Sequence, residues 1–179
     1  VRMQQWARSF GFGSATGLDI GSEEIGLLPT PDWRWKTFAS DWDRAWNPGD
    51  SIQLAIGQKD LLVTPLQMTA FYAMLANGGD LVTPHLVSNV EQAGAKGSPR
   101  VVVRRFPPKL PKSISIDPGA LEAIRDGLFR ATHGAAGTSS GVFGNYAIPI
   151  SGKTGTAEKV VRLPGYPIDH LEDQSWWCG

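Results

Sequence analysis

The sequence predicts a mixed fold of α-helices and β-strands. Three observations predict it. An apolar stretch behind Thr64-Pro65 reads as a buried helix. A helical period follows Asp117-Pro118. β-Branched residues flank Ser151–Glu158, where they favour a strand. The 179 residues suit one domain with its own core. With 41% hydrophobic and 19% charged residues, the composition excludes wholesale disorder. Lys+Arg and Asp+Glu both number 17, which excludes a global basic footprint for nucleic acid.

Taken in order, Met3, Trp6, Ala7 and Phe10 share one helical face, and Gly11 stops the helix. Residues 11–50 are rich in Gly and Pro and hold no period, so they read as a long ordered loop region. Trp33, Trp35, Trp42 and Trp46 are expected to pack there rather than to stack on sugars. Asp50 is expected to cap a following turn rather than to take part in catalysis. The second helix starts with Thr64 as N-cap and Pro65 at its first position, and ends at Asn77-Gly78-Gly79. It is apolar nearly all round, so it is expected to be central, with Met68 and Met74 as core filler. Stretches 82–90 and 101–106 read as a surface hairpin around a turn at 93–99. Leu121, Ile124 and Leu128 are expected on the inward face of the next helix, which ends at His133-Gly134. A loop is expected over 134–141, a strand around 148–161, a polar loop over 162–173 and a further strand over 174–179.

Gly152-Lys153-Thr154 invites a phosphate-loop reading, which fails. That motif requires Gly five residues before the lysine's glycine, where Ala147 stands, and a helix after it, where Val160 and Val161 favour a strand. As a strand, alternation puts Lys153 and Gly155 on one face and Thr154 and Thr156 on the other. A cation, two hydroxyls and a side-chain-free position suit the border of a site that receives a peptide carboxylate. The competing reading is a plain surface strand with a glycine at a bulge.

Further stretches carry a resemblance. They are Phe10-Gly11-Phe12-Gly13, Thr16-Gly17-Leu18-Asp19, Gly26-Leu27-Leu28-Pro29, Trp46-Asn47-Pro48-Gly49-Asp50-Ser51, Ala55-Ile56-Gly57-Gln58, Val63–Met68, Leu75–Gly79, Gly137-Thr138 and Ser151–Ala157. In this order and spacing the sequence resembles the transpeptidase domain of class B penicillin-binding proteins, of the elongation-type penicillin-binding protein 2 group. Lys59 departs from the pattern, since relatives often carry Gly after Gly-Gln.

The resemblance implies an α+β fold, an antiparallel sheet with flanking helices. This chain would supply much of the helical part and two sheet strands. It implies a peptidoglycan D,D-transpeptidase, in which a serine attacks the D-Ala-D-Ala end of a stem peptide and β-lactams acylate the same serine. It implies catalytic work for Lys153 in the proton network, carboxylate binding by the hydroxyls of Thr154 and Thr156, an open Gly155, and an oxyanion donor in the Thr156 backbone N–H. Implied partners are stem peptides, β-lactam antibiotics and a membrane glycosyltransferase of the wall-elongation complex, at the extracytoplasmic face of the cell membrane. No cofactor is implied, and no nucleic acid.

No serine here has a lysine three residues on, and no Ser-x-Asn occurs. A serine without an adjacent base is a poor nucleophile. The expectation is that 1–179 form one partial transpeptidase domain, lacking the N-terminal part with the serine and the last sheet strands. Two other readings are a β-lactamase or β-lactam sensor, and a non-catalytic scaffold. His85, His133 and His170 have no metal-ligand spacing, and Cys178 is expected beside the core or site without activation.

Overall fold

A computed structural model describes residues 2–19, 21–95, 98–161 and 170–179. The first helix, α1 (Arg2–Ser9), ends at Gly11, whose φ of 92° suits glycine. Phe10 and Phe12 both pack on Phe71, with ring centroids 5.3 Å away in each case.

The expected loop region at 11–50 is not wholly loop. It contains α2 (Pro31–Thr37), α3 (Asp41–Arg44) and the start of α4 (Pro48–Ala55). Thr30 caps α2, accepting from the Trp33 N–H at 3.0 Å, and Asn47 opens α4. These helices are too short to show a hydrophobic period, so cap and proline are the only local signals they leave. The packing expectation fails for Trp35 and Trp42, which are exposed, and fits Trp33 and Trp46, which are half-buried. Where chain is irregular, carboxylates hold it. Glu23 accepts from the N–H groups of Thr16, Gly17 and Leu18 and from the Thr16 hydroxyl. Asp19 accepts from the N–H groups of Leu86 and Val87.

The central helix α5 (Pro65–Asn77) is bounded as the sequence predicts. Thr64 and Gln67 form a reciprocal capping box, and Gly78 closes the helix in the left-handed region. Met74 is fully buried and forms a core with Leu75 and Leu121. Thr64→Ala is expected to cost about 1 kcal/mol, the usual worth of such a cap, read as a lower denaturant midpoint.

Short strand β1 (Asp80–Leu81) follows, and then the hairpin of β2 (Asn89–Gln92) and β3 (Val101–Arg105). Residues 82–88 are not strand, contrary to expectation; Asp19 takes two of their N–H groups instead. Positions 96 and 97 of the expected turn lie outside the described residues. β4 (Lys112–Ser113) pairs with β1. Helix α6 (Pro118–His133) is capped by Asp117 and buries Leu121, but Ile124 is exposed, not inward. The expected loop after it holds α7 (Ser140–Phe143).

β5 (Lys153–Val161) and β6 (His170–Cys178) form a nine-residue antiparallel ribbon, from Lys153 opposite Cys178 to Val161 opposite His170. Positions 170–173 are therefore strand, where a polar loop was expected. Pairing with β5 overrides their polar composition. The rest of that expected loop, 162–169, lies outside the described residues. Among the described residues each sheet has two strands, and every pairing is antiparallel.

Candidate functional site

The segment of interest starts where α6 hands the chain to β5. Thr132, fully buried near the end of α6, donates to the Ile150 carbonyl at 2.6 Å. The Gly152 N–H donates to the Leu128 carbonyl at 3.2 Å. Gly152 is itself enforced, since a Cβ there would lie 2.5 Å from the Cys178 carbonyl oxygen. The first residues of β5 therefore leave the helix at a fixed place.

Lys153, Gly155 and Thr156 are exposed and Thr154 is half-buried. They line a cleft of about 710 Å³, together with Trp6, Leu62, Met68 and Tyr72 among others. The strand is thus extended and open, not coiled or walled off. A Cβ on Gly155 would meet the Trp176 Cβ at 3.4 Å, ordinary van der Waals contact. This position is free of side chain without being sterically forced to be.

Strict alternation would separate Lys153 from Thr154. The flexible lysine stem brings them back together. Lys153 Nζ donates to Thr154 Oγ1 at 2.9 Å, to the Thr154 carbonyl at 3.0 Å and to Thr138 Oγ1 at 3.3 Å. The Thr154 hydroxyl donates to Thr138 Oγ1 at 3.1 Å. Thr138 is a site residue to which the sequence assigned no role. Its only signal was membership of the Gly137-Thr138 pair.

Gln58 is the second such residue. Its Nε2 donates to the Thr156 carbonyl at 2.7 Å across 98 positions of sequence. It sits in the turn after α4 between Gly57 (φ 74°) and Lys59 (φ 67°). Lys59 is the sole non-glycine residue with positive φ among the described residues. This is the local shape that a lysine in place of glycine put in question: the backbone keeps the left-handed form. The Lys59 ammonium pairs with Asp50, which also takes Arg34 Nη1 at 3.1 Å. Arg34 and Asp50 are both about 5% exposed. Asp50 does not cap a following turn; from the first turn of α4 it reaches back and accepts from the Asn47 N–H at 2.7 Å. Its larger part is this buried ion-pair cluster.

Cys178 is half-buried opposite Lys153, and burial pushes its thiol above the ordinary value, away from reactive thiolate. His133 stacks on Phe129 at 4.2 Å. Among the described residues no His, Cys, Asp or Glu group could hold a metal. No helix among them is long and apolar enough to cross a membrane.

A family model described as "Penicillin binding protein transpeptidase domain" matches residues 1–179. The peptidoglycan D,D-transpeptidase MrdA of Haemophilus influenzae is 32% identical over 157 residues, 88% of this chain and 23% of that protein. Among solved structures, Pseudomonas aeruginosa PBP2 in complex with WCK 5153 is 33% identical, with a TM-score of 0.67 over 88% of this chain and 33% of the other. A chain from the structure described as "Structural coordination of polymerization and crosslinking by a peptidoglycan synthase complex" is 32% identical, with a TM-score of 0.65 over 90% of this chain and 23% of the other. The chain thus spans about a quarter of the length of the curated relative.

Proposed function

The chain belongs to the penicillin binding protein transpeptidase domain family, and from that premise we propose that it forms the carboxylate-binding side of a peptidoglycan D,D-transpeptidase site. The observation that carries the reading is the exposed ammonium–hydroxyl cluster of Lys153 and Thr154 at the head of an open strand. In this reading the stem peptide lies along β5 as an added strand, main chain to main chain. Its terminal carboxylate meets the hydroxyls of Thr154 and Thr156. Gly155 leaves room for the acyl portion. The Thr156 N–H is one of two donors to the oxyanion, a contact worth about 10²–10³ in rate. Lys153 holds a positive charge beside the attacking serine and completes its proton network.

That serine lies outside residues 1–179 in this proposal, since none here has the lysine partner that would activate it. The 179 residues alone are then inactive. The full-length protein works at the outer face of the cell membrane, with stem peptides as substrates and a membrane glycosyltransferase as neighbour. The relative from a complex that joins polymerization to crosslinking supports that partner.

Fluorescent penicillin is the test. The full-length protein is expected to label covalently and the 179-residue chain to stay dark. Labelling of this chain at one of its own serines would refute the missing-nucleophile reading. A full-length protein that never labels at saturating dose would favour a non-catalytic scaffold. Rapid loss of the label would favour a hydrolytic relative.

A further inference from the structure

The donor arithmetic of the cluster at the head of β5 singles out one hydroxyl. Lys153 has three N–H donors, and all three are used: on Thr138 Oγ1, on the Thr154 carbonyl and on Thr154 Oγ1. The Thr154 hydroxyl donates its hydrogen to Thr138 Oγ1, a bond it gives up when it turns to meet a carboxylate along β5. Thr138 therefore accepts twice, once from a cation, and its own O–H has no acceptor among the described residues. A hydroxyl that accepts from an ammonium is polarised, which strengthens it as a donor. It is exposed, so an incoming anion can reach it.

The backbone around Thr138 is built to hold it there. A Cβ on Gly137 would lie 2.6 Å from the carbonyl oxygens of both Arg130 and Ala131, so only glycine allows this approach to the end of α6. On the other side Ser139 is buried, and both its N–H and its hydroxyl donate to the Ala131 carbonyl. The Ser140 N–H and hydroxyl donate to the Gly137 carbonyl. Thr138 is thus the exposed residue of a tightly tied turn, and it faces the strand.

We propose that Thr138 is a further carboxylate-binding residue, whose hydroxyl is the outward donor of the Lys153–Thr154–Thr138 cluster and meets the terminal carboxylate of the ligand. The inference rests on the transpeptidase reading and deepens it by naming a specificity determinant. Its chemistry is that of a carboxylate, and it predicts discrimination between a free acid and its ester.

The experiment uses the full-length protein and compares second-order acylation by benzylpenicillin with acylation by its methyl ester. Thr138→Val keeps shape and removes the donor. It is expected to slow acylation by the free acid about tenfold, the size of one hydrogen bond to a charged group, and to leave the ester rate within about twofold. Thr138→Ser restores the donor and is expected to restore the free-acid rate. Since Thr138 is exposed, the melting temperature is expected to stay that of the wild type; Thr138→Ala repeats the comparison with a smaller side chain. Equal slowing with acid and ester, or no slowing with either, overturns the assignment. Wild-type protein that neither compound acylates overturns the transpeptidase reading and this inference with it. Acylated wild-type protein that is indifferent to Thr138→Val overturns the inference alone.

Discussion

Lys153→Ala is expected to lower the acylation rate of the full-length protein by a factor of about 10²–10⁴, the range for removal of a positioned acid–base partner. The reason is local. The ammonium is the only cation in the cluster with Thr138 and Thr154, and no other lysine or arginine bonds to either hydroxyl among the described residues. Its loss leaves both hydroxyls without the charge that polarises them. Lys153 is exposed and its partners are the neighbouring residue and Thr138, so the fold is expected to persist with little change in melting temperature. Stopped-flow acylation by benzylpenicillin, beside a thermal scan, separates the two effects. Acylation at the wild-type rate would remove Lys153 from the chemistry.

Asp50→Ala is expected to destabilise the protein by about 3–5 kcal/mol, the cost of stranding a buried charge whose partner is deleted. Arg34 would lose its closest carboxylate while its guanidinium stays buried, held by the Asp43 carbonyl and by Asp60 at 3.5 Å. Helix α4 would also lose the contact from the Asn47 N–H. Burial by itself raises the carboxyl pKa of Asp50, but the Lys59 ammonium, the Asn47 N–H and the Arg34 guanidinium outweigh it and hold the group below its ordinary 3.8. The sign follows. The ionised carboxylate stabilises the fold fully above that ordinary value, and the contribution is lost as pH falls through the lowered native one. Glu23 behaves alike, lowered chiefly by the Thr16 hydroxyl. Denaturant midpoints for wild type are expected to fall on acidification below the ordinary carboxylate range, and the Asp50→Ala midpoint to fall less steeply. An Asp50→Ala midpoint equal to that of wild type at neutral pH would show the cluster to be energetically idle.

The elements legible in the sequence are those whose signals are local and repeated. Helix α5 announces itself by Thr64, Pro65, Gln67 and Gly78, each doing the capping or stopping expected of it. Strand β5 was legible from its β-branched residues, and with it the extended placing of Lys153, Thr154 and Thr156. What escaped depends on contacts between distant parts. Glu172 and Asp173 read as loop until paired with Lys159 and Glu158. Gln58 touches Thr156 only because Lys59 takes a left-handed turn and Asp50 holds its ammonium. Thr138 meets Lys153 only because Gly137 lets the chain lie against α6.

The last turns of α6 grip both sides of the cluster: Leu128 and Thr132 hold the entry to β5, while Ala131 holds the turn that carries Thr138. Both attachments are made to the same helix end. A displacement of α6 is therefore expected to carry the Thr138 hydroxyl and the Lys153 ammonium in the same direction rather than apart.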